Sequence, residues 1–367
     1  MPGRLPFHNI HRNLDLAVVV RTWTCVRRQR EVCFGRHGVS KARLSVKHPV
    51  FRIVALLSLF CLSHDVFSQQ VIATIAVGQQ PIYVAADQKT DRIYVSNQSD
   101  DTVSVIDGAT NQVLTTLGVG RYPNGIAVNP RTNTIYIANL SGGSVSIING
   151  TNWTVSTLMT GSSPAKVAVD PLTGRLFVTL EDRNGFLDVI ATKGLKIIAA
   201  IPLPAYPLGV AVDSAAHRIY VADFLCGCGK ISVVDAKTNH VVRTIRLPGA
   251  SSVVGVAVDP RDNFVYAADE NRGLYVIDRT SGKVLGNISD HSYPNEVTAI
   301  PGTTLAVEPD SASDRAVFVD ASTFAVKKRV HVGNFPTGVA VNAATKRVYV
   351  ANRLGNTVSV IQLPDNW

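Results

Sequence analysis

Cysteine is scarce in this chain. Of its 367 residues five are cysteines, and Cys25, Cys33 and Cys61 all fall within the first 68, so the rest of the chain keeps only Cys226 and Cys228. A small scaffold stapled by disulfides is therefore excluded, and burial of apolar surface has to supply the stability. An excess of one charge is also missing where it would matter. The formal net charge is +9, but residues 1–68 hold 11 Lys and Arg against 3 Asp and Glu, leaving 25 against 24 for residues 69–367. A nearly neutral body argues against nucleic acid as a partner, because backbone phosphates are bound by clustered cationic side chains. Apolar residues never recur at a 3.6-residue period for the length of a helix, which excludes helical bundles and βαβ folds. The catalytic vocabulary is thin as well. There is no Cys-x-x-Cys-His haem attachment site, no glycine-rich phosphate loop and no nucleophile elbow, and nothing in the sequence asks for a cofactor or a metal.

What the first 68 residues do contain is a targeting pattern. Lys47, His48 and Arg52 precede the apolar run Ile53–Leu62, and Val66-Phe67-Ser68 supplies modest side chains where a signal peptidase would cut. Residues 46–68 are thus expected to be a signal peptide cleaved after Ser68, with no transmembrane span left afterwards, because the apolar run is short for crossing a bilayer. The expected location is the periplasm, the cell surface or the medium. Residues 1–45 show neither repeat nor period and read as a doubtful extension, with translation starting at Val39 or Val46.

From residue 69 onward the chain repeats itself. Pro123-Asn124-Gly125-Ile126-Ala127-Val128-Asn129, Pro207-Leu208-Gly209-Val210-Ala211-Val212-Asp213 and Pro336-Thr337-Gly338-Val339-Ala340-Val341-Asn342 are near copies, and weaker copies begin at Pro81, Pro164, Val253 and Pro294. Successive starts lie 42, 41, 43, 46, 41 and 42 residues apart. Each unit reads as four short strands. A polar turn such as Asn129–Asn133 follows the first, and a β-branched and aromatic strand such as Ile135-Tyr136-Ile137-Ala138-Asn139 comes second. Third strands read like Thr102–Asp107, and fourth strands like Gln112–Leu117. Asp107, Asp170, Asp235 and Asp320 stand where turns begin, so turn chemistry accounts for them. The fold class that follows is all-β: a seven-bladed β-propeller of four-stranded antiparallel blades over residues 69–367. The seventh unit lacks a fourth strand, and Gln70–Val77 has that strand's pattern, so the N-terminal strand is expected to complete the C-terminal blade.

The strand signature at Tyr94–Asn97, Tyr136–Asn139, Tyr220–Asp223, Tyr266–Asp269 and Tyr349–Asn352 resembles the YVTN family of β-propeller repeats, across nearly all of residues 70–364. Phe177–Leu180 and Leu305–Glu308 depart from it. The resemblance implies an extracytoplasmic or surface-layer-like protein, and the same repeats also occur in propeller domains of some redox enzymes.

Positions that break the repeat are the candidate sites. Two residues after each unit's start four units carry glycine, while the others carry Tyr83, Lys166 and Glu296, which are expected to project into the central channel near its mouth. The residue before the starting proline is aromatic in four units, as Tyr122, Tyr206, Tyr293 and Phe335, a partial aromatic ring suited to a peptide, a sugar or a planar group. Arg121 and Asn334 flank it. Cys226-Gly227-Cys228 is a candidate loop disulfide. The expectation is a binding or scaffold module whose partner is a protein, peptide or glycan at the loop-rich face. The alternative is a lyase, lactonase or quinoprotein-associated enzyme using Lys166, Glu296 and His291, for which a depressed lysine or raised glutamate pKa would speak.

Overall fold

Short β-rich segments punctuated every few residues by Asp, Asn, Gly and Pro can pair only with their sequence neighbours, and that is what the chain does. The computed structural model describes residues 70–204, 206–224, 229–289 and 293–365. Within them lie seven four-stranded antiparallel sheets, each built from consecutive strands except one. The first blade, for example, comprises Pro81–Asp87, Arg92–Asn97, Thr102–Asp107 and Gln112–Gly118 from the axis outward. The exceptional sheet is the seventh, where Val71–Ala76 pairs with Thr357–Gln362 beside Arg347–Asn352 and Pro336–Asn342. Thr74 lies opposite Ser359 and Ile75 opposite Val358. The closing strand expected from the repeat phase is therefore present, and it removes the open edge that a linear array would expose. The proposed signal peptide, residues 1–45 and Cys226-Gly227-Cys228 lie outside the described residues.

Turn chemistry acts as the spacing implied. Asp107 accepts from the Ala109 and Thr110 amides at 3.0 and 2.9 Å, and Asp235 from those of Lys237 and Thr238 at 2.9 and 3.0 Å. These bonds, led by the Thr110 and Thr238 amides respectively, hold both carboxyls below the ordinary aspartate range. One blade departs from expectation. The sixth inner strand, whose block starts at Pro294, is paired only at Thr298–Ala299, with Pro294 making an isolated bridge to Asp310. The ladder is missing over residues 295–297, between the Pro294–Asp310 bridge and the Thr298–Val307 pair, opposite Glu308 and Pro309 of the second strand, and a proline has no N–H for the ladder.

The signature asparagine proves to be a structural clamp. The Nδ2 of Asn97 donates to Thr102 Oγ1 at 3.0 Å and Ser104 Oγ at 2.9 Å, and Asn139 and Asn352 repeat the pattern with Ser144 and Ser146, and with Thr357 and Ser359. Small side chains of the second strand then bind blade to blade. Ser96 donates to the Asn124 carbonyl and Thr179 to that of Leu208, both at 2.8 Å. In the fourth blade the clamp position is Asp223, fully buried, which as a carboxylate can only accept, and does so from Ser232 at 3.2 Å. Burial pushes its carboxyl up to about 7. An acid whose folded pKa is raised binds its proton more tightly folded than unfolded, so stability falls as pH rises from about 4 toward 7. Asp223→Asn should remove that slope and stabilise the protein by on the order of 2 kcal/mol at pH 8. Urea titrations of both proteins at pH 5 and pH 8 check this, and equal midpoint differences at the two pH values would refute it.

Candidate functional site at the channel mouth

The third residue of each inner strand sets the width of the channel. In four blades this residue is glycine because the neighbouring inner strand passes against it. A Cβ on Gly125 would lie 2.6 Å from the Lys166 Cα, and one on Gly338 would lie 2.5 Å from the Ile82 carbonyl oxygen and 2.7 Å from the Tyr83 Cα. On Gly209 it would meet the Val254 carbonyl oxygen at 2.9 Å, and on Gly255 the Glu296 side chain at the same distance. The glycines bring the inner strands together, and the three large side chains fill what space is left.

Those three side chains come together. Lys166 reaches across the axis, placing Nζ 2.5 Å from Glu296 Oε2, 3.2 Å from the Val254 carbonyl oxygen and 4.6 Å from the centre of the Tyr83 ring. The contacts belong to blades three, six, five and one. Lys166 is 5% exposed, so its charge is almost wholly withdrawn from water. Burial, the largest single effect, works against the ammonium, but Glu296 and Tyr83 together outweigh it and the lysine pKa ends up raised. The Tyr83 phenol is likewise raised, chiefly by burial. Lys166 is thus a fixed cation over an aromatic ring, an arrangement that suits electrostatic binding rather than proton abstraction. The enzyme reading called for a depressed lysine or a raised glutamate pKa, and the lysine is raised instead. A cavity of about 150 Å³ adjoins the cluster, lined also by Gly125, Val210 and Val339. Farther along the axis, lining shared at Val297 and Thr298 leads to a wider space of about 400 Å³ between Val212, Val258 and Val341.

The four aromatic residues sit where expected in sequence, but each has a backbone role besides. Tyr122, Tyr206, Tyr293 and Phe335 all adopt the left-handed region, at φ between 53° and 86°, as does Gln80 in the first blade. Side chains bearing a Cβ rarely sit there, so the surroundings must hold them. Tyr122 donates its N–H to Asp101 Oδ1 at 2.7 Å, and Phe335 to Asp314 Oδ1 at 2.8 Å, each reaching into the preceding blade. Their carbonyls accept from Leu140 and Arg353, which follow the signature asparagines of their own blades. The aromatic residues belong to four separate blades and do not gather around the Lys166 cluster. Tyr293 remains 43% exposed, and its phenol is raised first by the neighbouring Glu270 carboxylate, to which it is hydrogen-bonded.

Sequence reasoning missed a second ring of positions, the residues immediately after the signature strand. Their amides bond the residue that precedes the inner strand, Gln98 to Gln80, Glu181 to Ser163, Glu270 to Ser252 and Arg353 to Phe335, which places the four at the same mouth. Arg353 Nη2 bridges Gln80 Oε1 at 3.3 Å and Gln98 Oε1 at 3.2 Å. Burial raises the Glu181 carboxyl, with Lys166 opposing. The signal was present: this column varies between charged, polar and apolar residues while the signature before it stays nearly constant. His291 lies outside the described residues, so the cluster is Lys166, Glu296 and Tyr83, with Glu181 close enough to Lys166 to feel its charge.

With this geometry in view, the chain was compared with known proteins. No family model matches it. Residues of the chain are similar to the uncharacterized protein YncE of Salmonella typhi and to that of Salmonella typhimurium, 28% identical in each case over 163 residues. That alignment covers 42% of this chain and 44% of each relative, so the chain spans under half the length of the curated relatives it matches. Among solved structures, a chain of Kuenenia stuttgartiensis hydrazine synthase superposes with a TM-score of 0.71 at 18% identity, covering 79% of this chain and 97% of that one. At that identity the likeness establishes the β-propeller fold and nothing about chemistry.

Proposed function

We propose that this protein is an exported β-propeller that binds a peptide or glycan at the loop-rich mouth of its channel, in the periplasm, on the cell surface or outside the cell. The observation that carries the reading is the state of Lys166. A buried ammonium held by Glu296 and laid over the Tyr83 ring closes the axis, which leaves the loops around it as the surface open to a ligand. In the loops entering the inner strands, Tyr122, Tyr206, Tyr293 and Phe335 offer flat apolar surface, with Glu181, Glu270 and Arg353 among the neighbouring positions, a mixture that suits hydroxyl-rich or amide-rich ligands. The signal-like segment at 46–68 supports export.

A second reading, a propeller enzyme with its site at the same mouth, is favoured by the convergence of Lys166 and Glu296 on one cavity. In such an enzyme Lys166 would stabilise developing negative charge, not act as a base.

The binding reading is tested by screening the purified protein on peptide and glycan arrays and repeating any positive with Tyr122→Ala, Tyr293→Ala and Phe335→Ala. Loss of about 1–2 kcal/mol of binding free energy per aromatic residue is expected at the mouth. A ligand bound equally well by all three variants would place the site elsewhere and sink the proposal.

A further inference from the structure

The crevice between the fourth and fifth blades, away from the channel mouth, carries a pair of residues that no other blade has. After the third strand the other units place Gly108, Gly150, Thr192, Ala236, Ala321 and Leu363, whereas the fifth places Arg279. On the outer strand, opposite the third strand's fourth residue, the counterparts of Arg243 are Ala73, Thr115, Ser156, Ala199, Gly286 and Lys328. Two arginines thus enter one crevice at positions that the scaffold elsewhere fills mostly with small residues.

A third arginine is redirected into the same place. At the start of the second strand, Arg175 and Arg347 each donate to a backbone carbonyl of the next blade, those of Ala236 and Gly108. Arg218 holds the same position in the fourth blade but turns instead to Asp235 Oδ2, at 2.5 Å, as Arg92 of the first blade turns to Asp107. Arg279 crosses the interface to the fully buried carboxylate of Asp213 at 2.6 Å, which fixes its position. Arg243 is exposed, lies over the turn at Gly282, and makes one long bond, 3.4 Å, to the Thr280 carbonyl. A side chain at Gly282 would collide with its guanidinium. The three guanidinium groups and the Tyr220 ring line a cavity of about 260 Å³. Asp213 and Asp235 neutralise two of them and leave the third, so the cavity carries a net positive charge while the paired arginines keep spare N–H donors.

We infer that this crevice binds a phosphate or sulfate group. Guanidinium groups arriving from a second strand, an outer strand and a turn of the next blade approach from different directions, which matches a tetrahedral oxyanion better than a planar carboxylate. The cavity exceeds one such group in size, so the group would be the terminus of a larger ligand, and inorganic phosphate and sulfate are the probes that isolate it.

The test is isothermal titration of the full chain with inorganic phosphate, sulfate and acetate at constant ionic strength, beside thermal melts in the same buffers. Saturable 1:1 binding of phosphate or sulfate is expected, stronger than acetate, and whichever of the two binds more tightly identifies the source. Arg243→Gln should weaken it by about tenfold or more, while Lys328→Gln, the same position on the sixth blade, leaves it unchanged. Arg279→Gln should also lose binding, but it strands Asp213 and is less secure as a folded variant, so Arg243→Gln decides. Equal affinity for acetate, no effect of Arg243→Gln, or an equal effect of Lys328→Gln would overturn the inference.

Discussion

Lys166→Met should lower the stability of the protein by about 3–5 kcal/mol at pH 7, and Lys166→Met combined with Glu296→Leu should recover most of that loss. The asymmetry follows from the site. The lysine and glutamate side chains are 6% and 15% exposed, so neither charge can turn to bulk water when its partner is removed. Methionine keeps the unbranched stem, one atom shorter than the lysine, and leaves the Glu296 carboxylate in the same low-polarity space, which costs far more than the pair contributes as a pair. Removing both charges leaves an apolar plug over the Tyr83 ring. A double-mutant cycle by urea denaturation reads this directly: the coupling between the two sites should amount to several kcal/mol, against less than about 0.5 kcal/mol for residues that do not interact. A double variant no more stable than Lys166→Met would mean that shape, not charge, holds the axis. Either result bears on function, since an apolar plug that still folds would allow binding at the mouth to be tested without the buried cation.

Gly338→Ala should cost about 2–4 kcal/mol although it adds a single methyl group. The new Cβ would stand 2.5 Å from the Ile82 carbonyl oxygen and 2.7 Å from the Tyr83 Cα. Both are backbone atoms of the neighbouring inner strand and cannot rotate away. Relief requires the seventh and first blades to part, and these are the blades joined by the core of Ile75, Val84, Ile93, Tyr349 and Val358 across the ring closure. Gly118→Ala is the matched control, because a Cβ there meets nothing within 4 Å. Thermal melts of the two variants should separate clearly, and equal midpoints would refute the view that close strand approach dictates glycine at this layer.

The same comparison shows how far the residues could be read directly. The blade count, the four-strand pattern and the closing strand at Val71–Ala76 were legible because each blade is a local object: its strands pair with sequence neighbours, and the repeat states the pairing seven times. The turn aspartates were legible for the same reason. The sixth inner strand was read too generously, since a hydrophobic block predicts a strand but not that its first half, residues 295–297, stays unpaired opposite Glu308 and Pro309. At the channel mouth, Tyr83, Lys166 and Glu296 stood out as departures from a glycine consensus, yet the glycines themselves were taken as background. They are what narrows the ring, through contacts to the neighbouring blade, which at Gly338 is the first blade across the ring closure. The aromatic residues were read as a ring of side chains, and their left-handed backbone, which ties adjacent blades together, leaves no trace in residue type.

What the sequence determined by itself is the architecture, because alternating β-branched residues and turn formers specify local pairing, and a 42-residue repeat of four strands can bury its faces only against copies of itself. What only the tertiary structure decided is where chemistry gathers. Lys166 and Glu296 are 130 residues apart, and Arg218, Arg243 and Arg279 come from two different blades. Their proximity depends on closing the ring and on how neighbouring blades face each other, and the charge state of each group depends on the burial and partners that closure supplies. Spacing along a chain encodes neither.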